Sequence, residues 1–266
     1  MTYTGKITFH VELAGIPVRI RCRHEENRHF LAAYLTEREP ELTVEPTEET
    51  IRWIREGFVR MYGEDGPCEE PLTDSFLENN AIHALIAEKL VPRGVLLFHG
   101  SALCMDGRAV IFTAPSGTGK STQARLWRET FGERVRMIND DKPLLRIEEN
   151  GTVTVCGSPW DGKHHLSSNT SAPLRAVLLV KRSATNRMEP MSPVDAFPIL
   201  VQQGYLPDDS ATRLQVLALE RKILAQIPFF TLYCNQEQDA ARIAKRTILG
   251  ETFTPGPHTG GCHCFE

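Results

Sequence analysis

The sequence lacks the features that mark membrane, secreted and nucleic-acid-binding proteins. None of its apolar runs approaches the length needed to span a bilayer, and the opening Met-Thr-Tyr-Thr-Gly-Lys contains no apolar segment of the kind found in signal peptides. The net charge of −4 provides no excess of positive charge for nucleic acid or an anionic membrane surface. We therefore expect a cytoplasmic protein that binds neither nucleic acid nor membrane.

The cysteines do not have the spacing of a disulfide framework. Seven are scattered over 266 residues, and an odd count in a reducing compartment favours free thiols. Cys262-His263-Cys264 could bind a soft metal, but three donors in a tail without periodicity are weak evidence for a site. Hydrophobic residues make up 41% of the chain, which is enough for a substantial core in one large domain or two small ones.

Hydrophobic patterning predicts three parts. Residues 1–92 carry a hairpin pattern around Gly15 and two helical patterns, and we expect them to form an N-terminal α+β flank packed on the rest of the chain. Residues 93–250 alternate short apolar runs with helical patterns and form the predicted catalytic core. Residues 251–266 have no periodicity and are predicted to be disordered.

Residues 108–122 form an apolar run that breaks into a glycine-rich loop and ends in Gly-Lys-Ser. This pattern predicts a phosphate-binding loop (P-loop), in which glycines bend backbone N–H groups around an anion in front of a helix. Lys120 would reach the β- and γ-phosphates of ATP, and the Ser121 hydroxyl would hold Mg²⁺. Ala114 stands where the usual pattern has its first glycine. The residues predicted to surround the nucleotide are Ser116, Gly117, Thr118, Gly119, Lys120, Ser121 and Thr122.

Polar side chains follow two further predicted strands. The apolar run 95–98 delivers His99, and the run 134–138 ends in Asn-Asp140-Asp141. In open α/β sheets ligands bind beyond the carboxyl ends of strands, so these side chains can converge with Lys120. Mg²⁺ needs a second oxygen ligand, and transfer to a hydroxyl is helped by a carboxylate that accepts its proton. Asp140 and Asp141 can divide these tasks, with Asp140 as the metal ligand and Asp141 as the base; the sequence leaves the opposite assignment open.

The segment 157–165 is rich in turn-forming residues and is not amphipathic. It carries Trp160, Lys163, His164 and His165, which could bind an anionic group and an apolar surface of an acceptor. The alternative is a surface loop with Trp160 tucked against the core. The paired histidines have no Cys or acidic partner at zinc-like spacing.

Taken in order and spacing, His99-Gly100, the loop 116–121 and Asp140-Asp141 resemble the catalytic domain of HPr kinase/phosphorylase over most of residues 95–145. The resemblance implies that His99 lies near the transferred phosphate, that Lys120 and Ser121 hold phosphates and Mg²⁺, and that the acidic pair supplies a metal ligand and a base. It also implies a mixed-sheet P-loop core of the type shared with phosphoenolpyruvate carboxykinase, within the α/β class. The wider context is similar to HPr kinase-like proteins encoded with peptide-modifying enzymes, such as the lasso peptide kinases.

The chain departs from the HPr kinase/phosphorylase pattern at two points. A Glu-x-Arg-Gly signature associated with phosphorolysis has no match after the acidic pair, which favours the kinase direction. The first ninety residues do not resemble the N-terminal domain of the bifunctional enzymes, so HPr is not the expected substrate. The resulting prediction is an ATP- and Mg²⁺-dependent kinase that phosphorylates the C-terminal serine of a lasso-type precursor peptide. A homo-oligomer is compatible with this prediction. The alternatives are a kinase of a small hydroxylated metabolite and a nucleotide-gated binding module without kinase activity.

Overall fold

The computed structural model describes residues 5–63, 72–162 and 165–250, together with the backbone of a short strand at 263–264. The chain divides into two compact units, Met1–Leu90 and Val91–Glu266. The packing of the first unit on the second stays a prediction. Within the described ranges, no helix combines the length and the apolar character needed to cross a bilayer.

The first unit has a small sheet and three α-helices among its described residues. Its strands are β1 (Ile7–Leu13), β2 (Ile16–Cys22) and β3 (Leu42–Val44), and its helices are α1 (Glu25–Phe30), α2 (Glu48–Tyr62) and α3 (Asp74–Leu90). β1 and β2 pair antiparallel through a turn in which Ala14 and Gly15 both have positive φ, at 51° and 75°. This turn geometry matches the right-handed twist of the strands, and it confirms the predicted hairpin. The Thr47 hydroxyl accepts a hydrogen bond from the Thr50 N–H and caps α2, as the sequence predicts.

The second unit contains a mixed sheet flanked by helices. Its strands are β4 (Val95–Leu97), β5 (Ser101–Met105), β6 (Arg108–Thr113), β7 (Val135–Asn139), β8 (Leu144–Ile147), β9 (Val153–Cys156), β10 (Thr170–Arg182), β11 (Arg187–Met191), β12 (Phe229–Cys234) and β13 (His263–Cys264). Its α-helices are α4 (Lys120–Phe131), α5 (Pro193–Gln203), α6 (Ser210–Gln226) and α7 (Gln238–Leu249). β10 pairs in parallel with β6 and β12, whereas the other described pairings of this sheet are antiparallel. The α/β class and the mixed sheet are therefore confirmed.

The centre of this sheet is buried on both faces. Val110, Phe112 and Leu178 belong to a core cluster that also contains residues of α4 and α7. Ile111 and Val177 point to a second cluster, which contains residues of α5 and α6. Because each central strand supplies apolar side chains to both clusters, β6 reads as a continuous apolar run in the sequence.

Several elements differ from the sequence prediction. No element was predicted for the segments that form β5 and β11, and β10 is longer than the apolar run 174–180 that indicates a strand there. α5 continues through Pro198, which we expected to kink or shorten it. Proline has no N–H to donate to the carbonyl four residues earlier, which here belongs to Val194. Val194 is 81% exposed, so water can bind that carbonyl instead.

The tail contains a short strand. His263 and Cys264 pair antiparallel with Ser171 and Thr170 of β10, and the disorder of the tail stays a prediction. The strand satisfies backbone groups of β10 on an edge that would otherwise be open. The remainder of 251–266 lies outside the described residues.

Gly100→Ala should destabilise the second unit. A Cβ at this position would lie 2.7 Å from Ile111 Cγ2 and 2.9 Å from the Phe112 carbonyl oxygen, closer than van der Waals contact allows. Overpacking of this kind costs about 1–3 kcal/mol, so the urea midpoint of unfolding should fall. Gly57→Ala is the control, because nothing lies within 4 Å of its added Cβ, and alanine in a helix should stabilise by up to about 1 kcal/mol. An unchanged midpoint for Gly100→Ala would contradict the close approach of β6.

Candidate functional site

The glycine-rich loop lies between β6 and α4. Gly117 and Gly119 have φ values of 73° and 129°, which L side chains rarely adopt. Ala114 is fully buried at the start of the loop and does not have a positive φ, so the alanine found in place of the usual first glycine fits there without strain. α4 begins at Lys120, and its first backbone N–H groups therefore adjoin the loop, in the arrangement that binds anions.

Lys120 is the principal cation of the loop. Only 8% of the residue is exposed, and its Nζ donates a hydrogen bond to the Ala114 carbonyl oxygen at 2.9 Å. Burial lowers the pKa of the ammonium, an effect opposed by the charge of Asp141 and reinforced by that of Lys142. A largely buried ammonium gains from a nearby anion, so Lys120 is placed to attract a phosphate.

Asn139 organises the acidic pair, a role that the sequence did not reveal. Its amide oxygen accepts hydrogen bonds from the N–H groups of Asp141 at 2.8 Å and Lys142 at 2.6 Å. Its amide nitrogen donates to the carbonyl oxygens of Ser158 at 3.0 Å and Trp160 at 3.3 Å. One fully buried side chain thus holds the turn after β7 against the segment 158–160.

The two aspartates occupy different environments. Asp140 is 5% exposed, and its Oδ1 accepts a hydrogen bond from the Gly162 N–H at 2.6 Å. Asp141 Oδ1 lies 3.1 Å from His99 Nε2, and its Oδ2 lies 3.3 Å from Lys142 Nζ. Burial acts to raise the pKa of Asp141, but hydrogen bonds and charges from His99 and Lys142 outweigh it and lower this pKa to about 2. Asp141 therefore remains ionised at every pH at which the protein is expected to work.

Backbone contacts fix His99 beside Asp141. The His99 N–H donates to the Gln203 carbonyl at 2.7 Å, and the His99 carbonyl accepts from the Thr113 hydroxyl at 3.1 Å. The next N–H, of Gly100, donates to the Asp141 carbonyl at 2.9 Å. The predicted convergence of His99, Lys120 and Asp141 is present: His99 contacts Asp141, and Asp141 influences the pKa of Lys120.

Two clefts adjoin the start of α4. One, of about 500 Å³, is lined by the loop residues 117–119 and by residues at the ends of β10 and β12, including Arg182 and Asn235. The other, of about 410 Å³, is lined by Ser121 and Asp140 together with residues farther along α4. Ser121 and Asp140, the two predicted Mg²⁺ ligands, therefore line the same cleft. Among the described residues no group of three or more His, Cys, Asp or Glu could hold a metal ion. Ser121 and Asp140 supply two oxygen donors to this cleft, and oxygen is the ligand type that Mg²⁺ takes beside phosphate oxygens and water.

Arg182 is a further residue that sequence reasoning missed. Its Nη2 donates to the Gly117 carbonyl oxygen at 2.6 Å, and its Nε donates to that of Thr118 at 3.3 Å. These bonds turn two loop carbonyls toward the guanidinium. The available signal was an arginine at the carboxyl end of an apolar run, in a sheet where neighbouring strand ends carry site residues.

The predicted acceptor segment has a mixed outcome. Trp160 is only 7% exposed, which matches the alternative of an indole tucked into the protein and not the open apolar contact. The sequence left both environments open, and the Trp160 backbone carbonyl accepts a hydrogen bond from the Asn139 amide at 3.3 Å. The His165 side chain is 80% exposed, and its Nδ1 lies 3.1 Å from Asp161 Oδ1. Lys163 and His164 lie outside the described residues.

Comparison with known proteins gives a limited result. No protein-family model and no curated protein matches the chain. Among solved structures, the chain is similar to the HPr(Ser) kinase/phosphatase from Coxiella burnetii, with 10% identity and a TM-score of 0.33, over 58% of this chain and 99% of that one. A similarity of this degree supports no conclusion about function, which must be argued from the site itself.

Arg182→Gln should weaken the binding of a nucleoside triphosphate. A hydrogen bond from a charged donor contributes about 1.5–3 kcal/mol, so releasing the Gly117 and Thr118 carbonyls should raise the Kd about tenfold or more. Calorimetric titration with ATP measures this change. Arg242→Gln is the matched control, because Arg242 is exposed and hydrogen-bonds Gln238 within its own helix. Equal affinities for Arg182→Gln and the control would show that Arg182 does not shape the binding loop.

Proposed function

We propose that the second unit transfers the γ-phosphoryl group of ATP, in the presence of Mg²⁺, to a serine hydroxyl. The observation that carries this proposal is the ionised Asp141, held by His99 and Lys142 beside the buried ammonium of a glycine-rich loop. A phosphoryl transferase needs a cation at the transferred group and a carboxylate at the attacking hydroxyl, and this site supplies both.

The loop and Lys120 bind the donor phosphates in this proposal. Backbone N–H groups at the start of α4 face the phosphate oxygens, and Lys120 exchanges its bond to the Ala114 carbonyl for one to the β- and γ-phosphates. The cleft of about 500 Å³ beside residues 117–119 receives the nucleoside. Mg²⁺, when bound, neutralises part of the phosphate charge. Ser121 and Asp140 are the protein groups placed to hold it.

Asp141 acts on the acceptor. The hydroxyl oxygen forms a bond to the γ-phosphorus, the bond from that phosphorus to the β–γ bridging oxygen breaks, and the hydroxyl proton passes to the Asp141 carboxylate. A carboxylate with a pKa of about 2 is a weak base toward a free alcohol. The proton therefore moves when bond formation has already made the hydroxyl acidic, as in the loose transition states of phosphoryl transfer. His99, 3.1 Å from Asp141, keeps the carboxylate oriented.

The finer proposal is that the acceptor serine is the C-terminal residue of a precursor peptide of the lasso type. Its support is the sequence resemblance together with the cationic residues of segment 163–165. A small hydroxylated metabolite is the alternative acceptor, and a binding module without transfer is the alternative function. The three acceptors used in the test below separate these cases.

The test measures phosphate transfer from γ-labelled ATP to a peptide ending in serine, to its C-terminal amide and to free serine. Asp141→Asn keeps the shape of the side chain but cannot accept a proton, and should lower kcat by about 10²–10⁴-fold. Asp140→Asn should instead raise the Mg²⁺ concentration required for half-maximal rate. If Asp140→Asn lowers kcat and Asp141→Asn raises the Mg²⁺ requirement, the roles of the two aspartates are exchanged. Wild-type rates in both variants would contradict the mechanism.

A further inference from the structure

The cleft of about 410 Å³ has a cationic wall that the transfer chemistry does not use. Its described lining includes Ser121, Arg125 and Arg128, which are spaced i, i+4 and i+7 along α4 and therefore share one face of the helix. Over this interval the helix rises about 10 Å. The cleft thus extends from the proposed Mg²⁺ ligands to a pair of guanidinium groups.

The Arg128 guanidinium has a hydrogen-bond donor that is not used within the described part of the protein. Its Nε is buried and has no hydrogen-bond partner among the described residues. Buried donors are usually satisfied by protein or water, so the Arg128 guanidinium, which lines the cleft, keeps donor capacity that its own protein contacts do not use. Arg125 differs, because its Nη1 pairs with Glu129 Oε1 at 2.7 Å on the surface.

Arg125 has Glu129 as its ion-pair partner, so the charge that the cleft offers to a ligand at this end comes mainly from Arg128. Among the described lining residues the acidic one is Asp140, and Ser121 lies at the start of α4, seven residues before Arg128. Met137 and Leu166 add apolar surface to the lining. A molecule that fits has an anionic group for the arginines, a short apolar or neutral stretch, and a hydroxyl toward Asp140 and its neighbour Asp141.

We propose that this cleft is the acceptor subsite, and that Arg128, assisted by Arg125, binds a carboxylate of the molecule whose hydroxyl is phosphorylated. The proposal rests on the proposed function and names its substrate class: hydroxyl compounds that carry a carboxylate, either a peptide C-terminus or a small hydroxy acid. The guanidinium fork suits a carboxylate because two parallel N–H groups can bind both oxygens. The other cleft, against the loop backbone, remains for the nucleoside.

The first arm of the test is binding without chemistry. The full chain is saturated with Mg²⁺ and a non-hydrolysable ATP analogue and titrated with a peptide ending in serine, with its C-terminal amide, and with free serine. The acid peptide should bind at least tenfold more tightly than the amide, and Arg128→Gln should abolish that difference. If free serine binds as tightly as the acid peptide, and Arg128→Gln weakens the binding of both to the same extent, the subsite is assigned to a small hydroxy acid. Equal binding of acid and amide by the wild type, with no binding of free serine, overturns the proposal.

The second arm is steady-state transfer. Arg128→Gln should raise the KM for the carboxylate-bearing acceptor at least tenfold and leave the KM for ATP unchanged, because the residue contacts the acceptor and not the phosphates. Arg128→Lys keeps the charge without the fork and should recover part of the loss. Arg242→Gln, on the exposed face of α7, is the control and should match the wild type.

The outcomes separate this proposal from the proposed function. An Arg128→Gln defect confined to the KM for ATP assigns the cleft to the nucleotide and overturns the acceptor subsite, while kinase activity stands. If binding depends on the carboxylate and Arg128→Gln removes that dependence, the subsite is supported even when the wild type transfers no phosphate. The lack of transfer would then contradict only the kinase function. A thermal midpoint for Arg128→Gln equal to that of the control shows that any loss arises at the site and not from misfolding.

Discussion

The buried amide of Asn139 is the interaction on which the rest of the site depends. It is fully buried at the end of β7, where its oxygen holds the backbone of the acidic turn and its nitrogen holds the segment 158–160. An amide supplies both donors and an acceptor, which neither aspartate nor leucine of similar size could do. Without it, the backbone that places the Asp141 carboxylate against His99 would be less firmly held. The segment that brings the Gly162 N–H to Asp140 would also lose its anchor.

Opposed electrostatic effects prepare the site for an anion. Burial lowers the pKa of Lys120, whereas its counterpart Asp141 stays ionised because His99 and Lys142 surround it. The Lys120 ammonium donates one hydrogen bond to the Ala114 carbonyl oxygen, at 2.9 Å, and has two further N–H groups. A bound phosphate would offer these donors a charged acceptor in a largely buried place. The loop glycines and Arg182 hold the backbone in position for this contact.

Sequence reasoning succeeded where the signal is local. The hairpin at Gly15, the cap at Thr47, the glycine-rich loop before α4 and the apolar runs of the central strands each follow from a short pattern and a single physical rule. It failed where a side chain is placed by tertiary contacts: Asn139 bonds Ser158 and Arg182 bonds Gly117, partners distant in sequence that no local pattern indicates. β5 was not predicted because the pairing of its neighbourhood with β6 depends on the close approach of the Gly100 backbone to β6, which no local pattern indicates.

The central claim is that the loop and Lys120 bind a magnesium nucleotide, and calorimetric titration of the full chain with ATP tests it most directly. The wild type should bind ATP more tightly with Mg²⁺ than with EDTA. Lys120→Met should weaken binding at least tenfold, whereas Lys222→Met, which removes an exposed lysine of α6, should match the wild type. Equal ATP affinity in Lys120→Met and Lys222→Met, or no binding by the wild type with Mg²⁺ present, would contradict the account.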